Sequence, residues 1–273
     1  MEIAGHIWAF QDRSLPEALG TLARLGFRCV DLGIGSHLSA ARAAHPQHRV
    51  TLAQEILEDL RTYNLRVTDF TIPLTRIAAA DEEKRRTEIQ LFKALLPLVK
   101  ASGAPGVTVS PGMKPADDED TEQVFERAAA ALREMLDAAR RFGLALSVEP
   151  HLDSLLLSVV ETQRLLQAVP GLQITLDFAQ MLALRIRLAE LEPLLSQTRH
   201  VQFRPAAVGR LQVPLARSKL DISAALALLR QGNYAGALGL ELLPPAIWGG
   251  PARYPMIAEL LALRDVVRAA RDA

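Results

Sequence analysis

The chain has 273 residues, 49% of them hydrophobic and 23% charged, with 31 basic residues against 31 acidic ones. That length suits one barrel-sized domain, and 16 glycines with 16 prolines exclude a collagen-like or low-complexity chain. Zero formal charge supplies no electrostatic footprint for nucleic acid or an anionic membrane, so neither is expected as a partner.

The single cysteine, Cys29, has no intramolecular disulfide partner and lies in the apolar stretch Phe27 to Leu32. It reads as a small buried hydrophobe in a reducing compartment. The opening Met1-Glu2-Ile3 lacks the basic segment and apolar run of a secretory leader, and no stretch approaches the ~18 uncharged apolar residues of a membrane span. A soluble, cytoplasmic protein is expected.

Short apolar runs alternate with amphipathic ones along the chain. Ile3–Phe10 predicts a strand, and Ser14-Leu15-Pro16-Glu17 then reads as a capping box for a helix running to Leu25 and closed by Gly26. Arg28–Gly33 predicts the second strand; Gly33-Ile34-Gly35 after it lacks the third glycine of a dinucleotide loop and reads as a turn. Thr51 with Gln54 opens a helix that ends near Asn64, before a strand over Arg66–Ile72. Asp81 can cap a helix toward Gly103, in which Pro97 predicts a kink or break. After a strand over Gly106–Ser110, the acidic run Asp117 to Asp120 precedes a helix from Thr121 to Gly143, where negative charge suits the helix dipole. Strand Leu144–Glu149, a helix from Ser158 and Glu161 to Pro170-Gly171, and strand Leu172–Phe178 follow. Strand His200–Arg204, a helix from Asp221 to Gly232 and strand Ala237–Leu242 complete the series.

The strands are brief and rich in Val, Ile and Leu, as strands buried on both faces should be. Eight such units average about 34 residues each, the size of a βα unit in a closed barrel. An open doubly wound sheet usually has fewer strands and a phosphate loop after the first. One (β/α)8 barrel, a single domain spanning residues 1–273, is the predicted α/β fold.

In such barrels chemistry sits at the C-terminal ends of the strands. There the sequence places Glu149 in Ser147-Val148-Glu149-Pro150-His151, Asp177 in Thr175-Leu176-Asp177-Phe178, and Glu241 in Gly239-Leu240-Glu241-Leu242. Strand seven carries His200-Val201-Gln202-Phe203-Arg204. A buried carboxylate costs several kcal/mol unless paired or metal-bound. Each could pair with an arginine in the barrel mouth, and Arg204 could serve one of them. Three at equivalent positions favour a shared site.

On these residues the chain resembles the sugar phosphate isomerase/epimerase family, the xylose isomerase-like barrels that include ketose 3-epimerases, inosose-processing enzymes and hydroxypyruvate isomerases. Leu25-Gly26-Phe27 leading into Val30-Asp31-Leu32-Gly33 is similar to that family's first helix and second strand. The fifth- and sixth-strand motifs match Ser147 to His151 and Leu176-Asp177-Phe178. Gly209 to Pro214 followed by Leu220-Asp221 looks like the long loop after strand seven, and Tyr234-Ala235-Gly236 before Leu240-Glu241 like the entry to strand eight.

The resemblance implies one divalent metal held by Glu149, Asp177 and Glu241, with the family's histidine position falling on Gln202. The family's Asp-x-x-His after strand six ends here in Gln180, so two expected imidazoles are amides. Three carboxylates and an amide oxygen are hard donors that favour Mg²⁺ or Mn²⁺ over Zn²⁺. His200 is assigned to the opposite face of its strand, packed between strand and helix. Glu149 and Glu241 would be the catalytic proton carriers, acting on a small sugar or keto-acid through an enediolate. His151, Arg204, Arg210, Trp248, His6 and Trp8 are candidate substrate contacts. Arg204 and Arg210 suit an anionic or polyhydroxy ligand, Trp248 could lid the pocket, and Trp8 with Phe10 could wall it or pack in the core. An isomerase or epimerase is thus one reading; the other is a non-catalytic barrel with a degraded metal site, kept for ligand binding or regulation. An abasic-site endonuclease, which needs several zinc ions, fits poorly with six histidines. A monomer and a homo-oligomer are both compatible with the sequence.

Overall fold

Aliphatic runs that can be buried on both faces become the parallel strands of a closed barrel. The computed structural model describes residues 1–35 and 37–273. Among them β1 Ile3–His6, β2 Cys29–Gly33, β3 Arg66–Ile72, β4 Gly106–Val109, β5 Ala145–Val148, β6 Gln173–Asp177, β7 Thr198–Phe203 and β8 Leu238–Leu240 pair in chain order, and β8 closes onto β1. The expected (β/α)8 barrel is the observed one, with its strands one or two residues shorter at several ends and β7 starting two residues earlier.

The helix starts follow the predicted chemistry. Ser14 N–H and Oγ both donate to Glu17 Oε2, Asp81 accepts from the amides of Glu83 and Lys84, and Ser158 Oγ accepts from Glu161 N–H. Asp120 and Asp221 cap their helices in the same way.

Three of the expected elements need correction, and one helix was not expected. Ile3–Phe10 is not one strand: after His6 the chain tightens into a 3₁₀ turn, Ile7–Phe10, because His6 Nδ1 accepts the Trp8 N–H and caps it. The helix expected from Thr51 begins at Pro46, where proline's missing N–H is harmless in the first turn. Helix Glu82–Ala101 runs through Pro97 without a break; Leu95, Leu96, Leu98 and Val99 are fully buried around it, and that packing outweighs one lost helical bond. Helix Met256–Asp272, which buries Leu260, Leu263 and Val267, had no assigned signal.

The barrel interior is polar. Thr108 Oγ1 lies 2.7 Å from Asp69 Oδ2 and 2.7 Å from Thr175 Oγ1, and Arg199 bonds Asp69, Thr108 and Ser147. Beside this group His200 Nε2 lies 3.0 Å from Asp31 Oδ2, and Thr68 Oγ1 donates to Asp31 Oδ1 at 2.5 Å. His200 therefore faces the lumen, not the helices. Residues two apart on a strand share a face, and the register confirms it: Thr175 pairs with His200 and Asp177 with Gln202. These buried groups form a polar floor directly beneath the strand ends.

Candidate active site

Above that floor β5, β6 and β8 each deliver one carboxylate at or just past the strand end. Glu149 follows Val148, Asp177 ends β6, and Glu241 follows Leu240. One oxygen from each lies within 4.8 Å of the others, and Asp177 and Glu241 are buried. Asp177 is held rigidly, because its Oδ1 accepts the amides of Ala179 and Gln180 at the start of helix Phe178–Ala183. Gln180 Nε2 in turn donates to Glu149 Oε1 at 3.4 Å while its Oε1 accepts the Leu152 N–H at 3.1 Å. The amide that stands in the family's histidine position thus orients Glu149.

The cation in this cluster is Arg204. Its side chain is 2% exposed. Nε and Nη2 donate to Asp177 Oδ2 at 3.0 and 2.5 Å, Nη2 also reaches Glu241 Oε2 at 2.9 Å, and Glu149 Oε1 is 4.0 Å away. The arginine pairing suggested for one carboxylate is therefore present for two. Three negative groups still share one guanidinium, and the titration of the cluster reflects it. Burial first, then the charges of Glu241 and Asp177, push the Glu149 carboxyl well above the ordinary range. Burial likewise raises Glu241, with Arg204 pulling the other way, to about 7. Burial opposes the charge on Arg204, but Asp177, Glu241 and Glu149 raise its pKa further still.

Gln202 sits in register beside Asp177 and is 1% exposed. Neither its Oε1 nor its Nε2 has a hydrogen-bond partner among the described residues, and Arg204 Nη1 is buried in the same condition. Unpaired buried polar atoms are rare and point to a missing partner. Three carboxylate oxygens with an orphaned amide beside them are a donor set that could hold a metal ion, and their oxygen chemistry fits a hard cation.

The remaining candidates divide. His151 Nε2 lies 2.9 Å from Ser110 Oγ at the barrel rim, and burial lowers its pKa. Arg210 and Trp248 line a cavity of about 920 Å³ between the loops after β5, β7 and β8, together with Arg217 and Asp153. Trp248 Nε1 donates to Leu243 O at 2.9 Å, and its ring meets Tyr254 edge-on at 5.3 Å. Gln212, not singled out from the sequence, clamps this cavity: its amide donates to Leu243 O and accepts the Leu243 N–H at 3.0 and 2.9 Å. Trp8 packs over Gly33 and Gly35, where a Cβ at Gly33 would approach its ring to 2.9 Å. Phe10 is buried core. His6 ends β1 in register with Asp31 and is fully buried, and that burial drops its pKa to about 4.

Comparison with known proteins agrees with this architecture. A search of curated protein sequences finds no match to the chain. Among solved structures, the IolI protein with a bound zinc atom superposes with a TM-score of 0.80 at 14% identity, covering 100% of this chain and 98% of that one. L-ribulose 3-epimerase gives 0.80 at 17%, covering 100% and 95%. D-psicose 3-epimerase from Clostridium cellulolyticum H10 gives 0.81 at 15%, covering 99% of each chain. At such identities the likeness establishes the fold. The sequence profile of the xylose isomerase-like TIM barrels matches residues 19–264, nine-tenths of the chain, and the chain belongs to that family.

Proposed function

We propose that this protein is a sugar isomerase or epimerase that moves a proton on and off carbon with Glu149 and Glu241. The observation that carries the reading is the convergence of those two carboxyls with Asp177 around one point, with Glu241 titrating near 7. A group poised near neutrality is the best proton carrier at neutral pH. Burial and the neighbouring carboxylates raise Glu149 as well, so both glutamates are shifted toward the protonated form and can give or take a proton, one on each face of the substrate. Base on one face and acid on the other would invert a carbon next to a carbonyl; the same pair could shift the carbonyl along the chain.

Glu149, Asp177, Glu241 and the Gln202 amide oxygen are the residues that would hold a divalent ion, with Mg²⁺ or Mn²⁺ suited to that all-oxygen set. Bound there, the ion would supply charge stabilisation to the oxygens of an enediolate. With no ion bound, Arg204 Nη1 offers a buried, unused donor for a substrate oxygen. The cavity between the loops, with Arg210 and Arg217, has room and charge for a sugar or a sugar phosphate. The solved epimerases that share this fold act on small sugars, which supports that substrate class here. Cys29, buried and free, suits a cytoplasmic setting.

A second reading, a non-catalytic barrel that binds a ligand, is favoured by one feature: two amides stand where the family has imidazoles, and Arg204 neutralises Asp177. Incubating ketoses and their phosphates in D₂O with Mg²⁺ or Mn²⁺ tests the choice. Deuterium entering a carbon-bound position supports the enzyme. Tight binding of one sugar with no exchange from any supports the binding barrel.

A further inference from the structure

We propose that the Arg204 guanidinium is the resident cation of the carboxylate cluster, and that it and a divalent metal ion are mutually exclusive occupants. The inference concerns the same site as the proposed function but does not depend on turnover of a sugar.

The geometry is specific. Arg204 enters from the end of β7, two residues beyond Gln202 and on the same face of the strand. Its Nη2 lies between Asp177 Oδ2 and Glu241 Oε2 at 2.5 and 2.9 Å, with Glu149 Oε1 4.0 Å away. Those three residues are the ones whose oxygens cluster within 4.8 Å. A metal ion bound to all three would need oxygens at about 2.0–2.6 Å, and so would take the space and the lone pairs that the guanidinium now uses. Both cannot be accommodated. Two positive charges side by side in a buried pocket would also repel strongly.

The chemistry around the guanidinium fits a permanent tenant. Arginine stays charged at any working pH, and its planar fork can hold two carboxylates at once. The neighbour at the family's histidine position is Gln202, whose amide is a weaker ligand for zinc, cobalt or manganese than imidazole. The site thus has a weaker metal donor at that position and carries an internal cation beside it. The unpartnered Nη1 leaves the guanidinium a free donor within the buried layer, so the resident cation keeps one hydrogen bond for an incoming oxygen.

The consequence is a protein whose fold does not need metal and whose metal affinity is suppressed by its own side chain. The test titrates chelator-treated protein with Mn²⁺, read by isothermal calorimetry and by the EPR signal of free Mn²⁺, for wild type, Arg204→Met and Arg204→Lys. Wild type should keep its Tm after chelation and bind Mn²⁺ weakly. Arg204→Met should bind it on the order of tenfold or more tightly, because the carboxylates lose their counter-ion. Its Tm should fall in chelator and recover with Mn²⁺, and Arg204→Lys should lie between the two. Wild type that loses Tm on chelation, or binds one Mn²⁺ tightly, overturns the proposal. So does an Arg204→Met protein that folds but binds no better than wild type. Should Arg204→Met fail to fold even with Mn²⁺, the wild-type chelation and titration still decide. A missing sugar exchange reaction would leave these metal affinities untouched, so the two proposals fail separately.

Discussion

Replacing Glu241 with glutamine should stabilise the metal-free protein, and by more as pH rises. Glu241 is buried beside Asp177 and Glu149, and its folded-state pKa of about 7 stands above the ordinary 4.5. Folding therefore takes up a proton there. Stability from this group is full below about 4.5 and is lost as pH climbs through about 7. Glutamine imitates the protonated carboxyl at every pH. From those two values the variant's advantage is well under 1 kcal/mol at pH 4.5, about 1 kcal/mol at pH 5.5 and about 3 kcal/mol at pH 8. Loss of the charged bond from Arg204 Nη2 is already contained in the folded-state value, since Arg204 is one of the groups that sets it. The assay is urea unfolding of both proteins in chelator across that pH range. A variant less stable than wild type throughout, or an advantage that shrinks with pH, would mean that Arg204 holds Glu241 ionised and that the proton-carrier assignment is wrong.

Gly239→Ala should be severe: a Cβ there would overlap Asp31 Oδ2 and come within 2.9 Å of His200 Nε2. Breaking that buried pair costs about 3–5 kcal/mol, or roughly 6–20 °C in Tm by calorimetry, and an unchanged Tm would refute the packing argument. His6, with a folded pKa of about 4 against 6.5, should cost the protein about 3 kcal/mol as pH falls from 6.5 to 4. Its stabilising effect is complete above 6.5, so His6→Asn should flatten that acid-side decline in urea midpoints, and an unaltered slope would count against it. Gln202→His should strengthen zinc or cobalt binding in direct titrations; equal affinity in both proteins would mean that Gln202 does not face the ligand position.

The barrel was legible because its signals are local. Ser14, Asp81, Ser158 and Asp221 sit where helix starts need a side-chain acceptor, and the strands between them are short, rich in Val, Ile and Leu, and buried. The three carboxylates stood out for a related reason: an ionisable residue ending an apolar strand is expensive without a shared purpose. Arg204 was legible as a partner for one carboxylate. That it bonds two of them and comes to 4.0 Å of the third depends on where β5, β6 and β8 meet, which no spacing along the chain reveals. His200 was misassigned although period two places it beside Gln202 on the lumen face, and the polar floor of Asp31, Asp69, Thr108 and Arg199 went unseen with it. Those residues are scattered over several strands, and only barrel closure brings them together. Gln212 reads as an ordinary loop residue until the loops after β7 and β8 are placed side by side.

The claim that Glu149 and Glu241 carry the proton is tested most directly by solvent exchange with the single variants. On a ketose that wild type labels in D₂O, Glu149→Gln and Glu241→Gln should each lower the rate of deuterium entry by ~10²–10⁴, the effect of losing a general acid or base. The two losses should be unequal and should exchange rank between epimers, because each carboxyl serves one face of the enediolate. His200→Asn, two positions below on the polar floor, should lower Tm and leave exchange nearly intact. Labelling that survives in both glutamine variants at the wild-type rate would contradict the account.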